Sequence, residues 1–177
     1  SHAVVENFLD QLIGVGVDPD RVGKEPKDPD GPHRWTSLGS SEVHAFLAPG
    51  RVLGGTAWTF ANAAAQPVDL LVVDEAGQLS LAHLLGASAL AETVLLLGDP
   101  QQLPQVSRGE HPQPIGDAAL TWIAEGAPVL RAERGFFLDT SWRMHSALTR
   151  AVSELSYAGR LGAREEVTDA RRLDGVE

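Results

Sequence analysis

The chain contains no cysteine, which excludes disulfides, thiolate metal sites and cysteine nucleophiles. Lysine is nearly absent: Lys24 and Lys27 stand alone, and arginine carries the positive charge. No apolar run approaches the roughly 18 residues of a membrane span, and no charged-then-apolar leader opens the chain. No membrane partner and a cytoplasmic location are therefore expected. Positive charge is in deficit, with a formal net charge of -10, and that argues against a broadly basic nucleic-acid surface. Ser1 stands where an initiator methionine would, so a piece of something longer is expected. What remains, 177 residues at 43% hydrophobic, suffices for a globular core.

The most informative stretch is 68–104, VDLLVVDEAGQ followed by a short amphipathic run and TVLLLGDPQQLP. Residues 69–73 and 93–97 are apolar runs of strand length, each closed by an acid, and such runs suit strands buried on both faces of a parallel sheet. An α/β fold with a parallel sheet flanked by helices is predicted. Side chains at the carboxyl ends of its strands face the crevice where open α/β sheets bind ligands. Asp74 and Glu75 stand there as neighbours. One carboxylate can hold Mg²⁺ through its water shell while the other orients or deprotonates a water, which is the division of labour in nucleotide hydrolysis. The plainer alternative is a solvated turn with an acid at a helix amino end.

The 98–104 loop, GDPQQLP, follows the second strand, and the amide of Gln102 can donate to a phosphate oxygen while accepting from water. Farther on, TSWRMH places the ring of Trp142 beside the guanidinium of Arg143. Together these three segments resemble motifs II, III and IV of superfamily 1 helicases, in the order that family requires. In particular they resemble the helicase half of bacterial proteins that fuse a RecB-like nuclease to a helicase related to the nonsense-decay helicases. It covers residues 1 to about 161.

The resemblance implies a RecA-like P-loop NTPase fold, incomplete at its amino-terminal side. Residues 1–137 would be part of the first RecA-like domain, with an irregular insertion at 14–39, and 138–177 the start of the second. It implies ATP and Mg²⁺ as cofactors, with Asp74 as the metal ligand, Glu75 activating water, Gln102 sensing the γ-phosphate and Arg143 reaching it. Trp142 would stack on the nucleotide base, Gln78 would link the nucleotide site to the strand-binding elements, and Asp99 completes the nucleotide set. Ser1 and His2, at the start of a motif Ia-like helix, and Gly55 and Thr56, at a motif Ic-like strand end, would touch single-stranded DNA or RNA. Such helicases grip single strands through backbone amides, hydroxyls and stacked rings in a groove, so negative overall charge does not exclude them.

The remaining chain is read from its patterns. Residues 1–13 have helical apolar spacing. Residues 14–39 are dense in Asp, Pro and Gly and read as an exposed loop. The Asp18-x-Asp20 start of a calcium loop fails at Val22 and Pro29, and Gly23-Lys24-Glu25 lacks the strand and spacing of a phosphate loop. Residues 40–47 suit a short helix. Trp58 and Phe60, just after a strand, are read as core aromatics rather than base-stacking ones. Helices are expected at 79–87, 116–123 and 145–157, with a frayed tail from 162. For Trp142 the plainer alternative is a core anchor of a helix beginning near Ser141.

The family's GxxxxGK[ST] phosphate (Walker A) loop would lie before motif Ia, in the remainder of a parent chain. The fragment alone is therefore expected to be inactive. The predicted function is an ATP-dependent helicase or translocase on single-stranded nucleic acid, DNA before RNA, with a fused nuclease as a further partner. Two alternatives stand beside it: a non-catalytic RecA-like module that binds a protein, and a two-metal nuclease using Asp74 with Asp99.

Overall fold

A computed structural model describes residues 2–28, 30–103 and 114–170. Ser1 and most of the polar excursion after Pro104 lie outside the described residues. Helix α1 (His2–Gly14) presents Val5, Leu9, Leu12 and Ile13 to Val22, Trp35 and Val52. Its anchor Leu9 is buried, and burying one leucine contributes about 1.5–3 kcal/mol. Strands β1 (Val22–Lys24), β2 (Thr36–Ser37) and β3 (Val52–Gly54) form a parallel sheet in the order β2-β1-β3. A second cluster of Leu38, Val43, Phe46 and Leu53, joined by Phe60, packs beside it.

This corrects the expectation for 14–39. The segment holds a 3-10 turn (Pro19–Arg21) and two strands, and Val22, Gly23 and Lys24 are all buried. Runs of two or three strand residues are too short to carry a period, so the surrounding Asp, Pro and Gly dominate the pattern. Residues 40–46 form successive turns instead of a helix.

Helix α2 (Ala57–Phe60) follows β3, and β4 (Val68–Val73), α3 (Leu81–Ser88) and β5 (Ala91–Leu96) then make a parallel βαβ unit. Ser80 caps α3 by accepting from the His83 amide, and α3 packs on α2 and on α4 (Ala119–Ile123). The strands β1–β5 pair in parallel, as expected for this α/β class, and among the described residues one isolated antiparallel bridge joins Ser80 to Ala118. The single continuous sheet is not seen: the strands form separate small sheets, and no strand among the described residues pairs β3 with β4. The expectation of burial on both faces is also corrected, because Leu71 is buried while Leu70 is 52% and Leu95 46% exposed. Within the described residues those side chains are only about half covered.

The last part pairs β6 (Thr140–Ser141) with β7 (Gly162–Ala163) around α5 (Ser146–Ser156), and α6 (Glu165–Thr168) follows. Residues 162–170 are thus ordered elements, contrary to the frayed tail expected there. The Asp169 carboxylate explains the difference: it accepts from the Ser146 amide at 2.9 Å and the Ser146 hydroxyl at 2.6 Å, capping α5. Those two donors hold the Asp169 carboxyl below its usual range.

Candidate functional site

The ends of β4 and β5 build the acidic site. Asp74 Oδ1 accepts from the Glu75 amide at 2.9 Å, and Glu75 itself sits at φ 56°. A non-glycine residue in this left-handed region costs on the order of 1–3 kcal/mol and persists only where its surroundings impose it. They do so here. The Ala76 amide donates to the Leu97 carbonyl at 2.9 Å, tying the turn after β4 to the end of β5. Gly77 passes so close to the neighbouring loop that an added Cβ would stand 2.0 Å from the Asp99 carbonyl oxygen. Only glycine permits that approach.

The two turns therefore meet, and their side chains meet with them. Gln78 Nε2 donates to Gln102 Oε1 at 3.2 Å and to Glu75 Oε2 at 3.4 Å, with Asp74 next in the chain. Asp74, Glu75, Gln78 and Gln102 are all exposed to solvent. Asp99 holds the second turn: its Oδ1 accepts from the Gln101 amide at 2.9 Å and its carbonyl from the Gln102 amide at 3.3 Å. The other carboxylate oxygen accepts from the Tyr157 hydroxyl at 2.5 Å. Burial first, and Asp99 second, push the Tyr157 phenol up to about 12, so it stays a donor at neutral pH.

Trp142 and Arg143 follow β6 directly. Ser141 Oγ accepts from the Arg143 and Met144 amides at 3.4 and 3.1 Å, and no helix begins until Ser146. Trp142 is 56% exposed, with the Arg164 guanidinium 4.5 Å from its ring centroid. The ring is therefore no core anchor.

A groove of about 370 Å³ collects His2, Gly55 and Thr56 with Lys24, Trp58 and Asn62. The three predicted strand-contact residues within the described set thus share one surface. Trp58 overturns its expected place in the core: it is 73% exposed and meets His83 edge-on at 5.3 Å. Lys24 is buried with all three ammonium donors used, on Glu6 Oε1 (3.0 Å), His2 Nδ1 (3.1 Å) and the Glu25 carbonyl (2.8 Å). It pins the start of α1 to β1. Sequence reasoning rejected Lys24 as a phosphate-loop lysine and left it in an exposed loop, and it passed over Tyr157. For Tyr157 the one available signal was its singularity as the chain's only tyrosine.

No helix among the described residues is long and apolar enough to cross a membrane. No curated protein matches the chain. A family model described as an AAA domain matches residues 34–176, which include the acidic site, Trp142–Arg143 and Tyr157. A match over so much of the sequence shows that this chain belongs to the AAA domain family, P-loop NTPase-type modules found in helicase-like proteins.

Proposed function

We propose that this chain is part of a superfamily 1 helicase or translocase that hydrolyses Mg-ATP to act on single-stranded nucleic acid, DNA before RNA. The observation that carries the reading is the meeting of Glu75, Gln78 and Gln102 beside Asp74 at the carboxyl ends of two parallel strands. The donor chemistry suits a hard divalent cation that keeps most of its waters: two adjacent exposed carboxylates, with no cluster of three or more ligating side chains among the described residues. Asp74 would hold the ion, which when bound neutralises phosphoryl charge.

The chain's own residues divide the remaining work. Glu75 orients the attacking water and takes its proton, while Gln78 holds both Glu75 and Gln102 in place. Gln102 can offer its amide to the γ-phosphate. Arg143 supplies a guanidinium whose charge offsets that of the transition state, and Trp142 offers a ring to the base. The main phosphate grip is assigned to the remainder of the parent protein, and a nuclease domain there remains part of the proposal.

The groove with His2, Gly55, Thr56 and the exposed Trp58 is assigned to the strand. Stacking one base on an aromatic ring is worth about 1–3 kcal/mol. In the parent protein a single-stranded oligonucleotide should stimulate ATP turnover, and Trp58→Ala should weaken its binding about tenfold while Trp58→Phe largely restores it. Fluorescence anisotropy of a labelled oligonucleotide measures both. Equal affinity in all three proteins would remove Trp58 from the groove's function, and no oligonucleotide binding would remove the nucleic-acid reading. One observation favours a second reading, a protein-binding module: the apolar side chains of β4 and β5 left in solvent. An acidic site that turns over no ATP in the parent protein would favour it.

A further inference from the structure

We propose that Tyr157 is a positioning residue, whose hydroxyl reaches from the end of α5 to Asp99 and fixes the loop that presents Gln102 to Gln78 and Glu75. The contact joins residues 58 apart in sequence, so no local turn dictates it. It pairs a hydroxyl donor with a carboxylate, a charge-assisted kind of hydrogen bond that is stronger than a neutral one.

Both ends of the contact are held. On its own side, the Tyr157 amide donates to the Ser153 carbonyl at 2.9 Å, its carbonyl accepts from Arg160 at 3.0 Å, and its ring leans on Phe137 at 6.0 Å. Phe137 in turn carries the Arg160 guanidinium 5.2 Å from its ring centroid. On the other side, Asp99 uses one oxygen for Tyr157 and the second for the Gln101 amide, and its carbonyl receives the Gln102 amide. Asp99 has little freedom to shift alone, because its carbonyl already lies against Gly77. A displacement of α5 is therefore passed through Asp99 to Gln102, and from Gln102 through Gln78 to Glu75. The segment that carries Trp142 and Arg143 runs directly into α5, so the same contact links it to the acidic site.

The consequence for turnover rests on the hydrolytic reading above; the hold on the loop does not. The test uses the parent protein with Tyr157→Phe, which keeps the ring and removes the hydroxyl, and with Asp99→Ala, which removes its acceptor. Amide hydrogen exchange over 98–103 should accelerate about tenfold in Tyr157→Phe while exchange in β4 and α5 holds, as expected when one strong hydrogen bond is lost. The kcat for ATP should fall about five- to tenfold with KM within about twofold, a loss of positioning rather than of binding. The Raman doublet of Tyr157, isolated as the difference between parent proteins with and without Tyr157→Phe, has an intensity ratio that separates a donating from an accepting phenol, and it should change when Asp99→Ala removes the acceptor. Unchanged exchange in the loop, an unchanged kcat, or a doublet indifferent to Asp99→Ala would each overturn the proposal. A parent protein with no ATP turnover would instead remove the hydrolytic reading, leaving exchange and the doublet to decide the role of Tyr157.

Discussion

Glu75→Gln in the parent protein should lower ATP turnover by about 10²–10⁴-fold, the usual contribution of a positioned general base. The substitution removes the charge and keeps the shape. Its amide can still meet Gln78, so the arrangement of Gln78 and Gln102 should persist. Nucleotide affinity should stay within a few-fold, because the proposed metal ligand Asp74 and the phosphate grip are untouched. The left-handed backbone at φ 56° is equally open to glutamine, and no new strain arises. Phosphate release under saturating Mg-ATP measures the first quantity and nucleotide titration the second. Full turnover in Glu75→Gln would transfer the chemistry elsewhere.

Lys24→Met should cost about 3 kcal/mol of folding stability, since removing one partner of a buried ion pair leaves the other without its charge. The figure sits at the low end for such pairs because the Glu6 side chain is 31% exposed and water can reach it. Methionine fills much the same space, so the loss is electrostatic and hydrogen-bonding rather than a cavity. For a chain of this length about 3 kcal/mol lowers the melting temperature by roughly 6–12 °C. Thermal unfolding followed by far-UV circular dichroism checks it. A melting temperature unchanged within a degree would show that Lys24 does not hold α1 to the sheet. Because His2 accepts from Lys24, the same variant should loosen one wall of the proposed strand groove.

The parts of this molecule legible in its sequence are those written in local pattern. Strands β4 and β5 fall within two residues of their expected bounds, because an unbroken apolar run ended by Asp74 or by Gly98-Asp99 leaves few other readings. The convergence of Glu75 and Gln102 followed from parallel pairing, which places both strand ends on one rim. Elsewhere the determining contact is remote. Lys24 was read as part of an exposed loop because its partners Glu6 and His2 lie on a different element, 18 and 22 residues away. Trp58 was assigned to the core by its place after a strand, whereas the core beside it is filled by Phe60 with Leu38, Val43 and Phe46. The Asp169 cap and the Tyr157–Asp99 contact are likewise tertiary, and neither leaves a periodic trace.

One cation-and-nucleotide site shared by Asp74, Glu75 and Gln102 is the claim on which the rest depends. Paramagnetic Mn²⁺ titrated into the isotopically labelled parent protein with ADP tests it most directly, since the ion broadens only nearby resonances. The side-chain amides of Gln78 and Gln102 and the backbone amide of Glu75 should broaden first, those of α1 should not, and Asp74→Asn should abolish the effect. Broadening centred on another surface, or persisting undiminished in Asp74→Asn, would contradict the account.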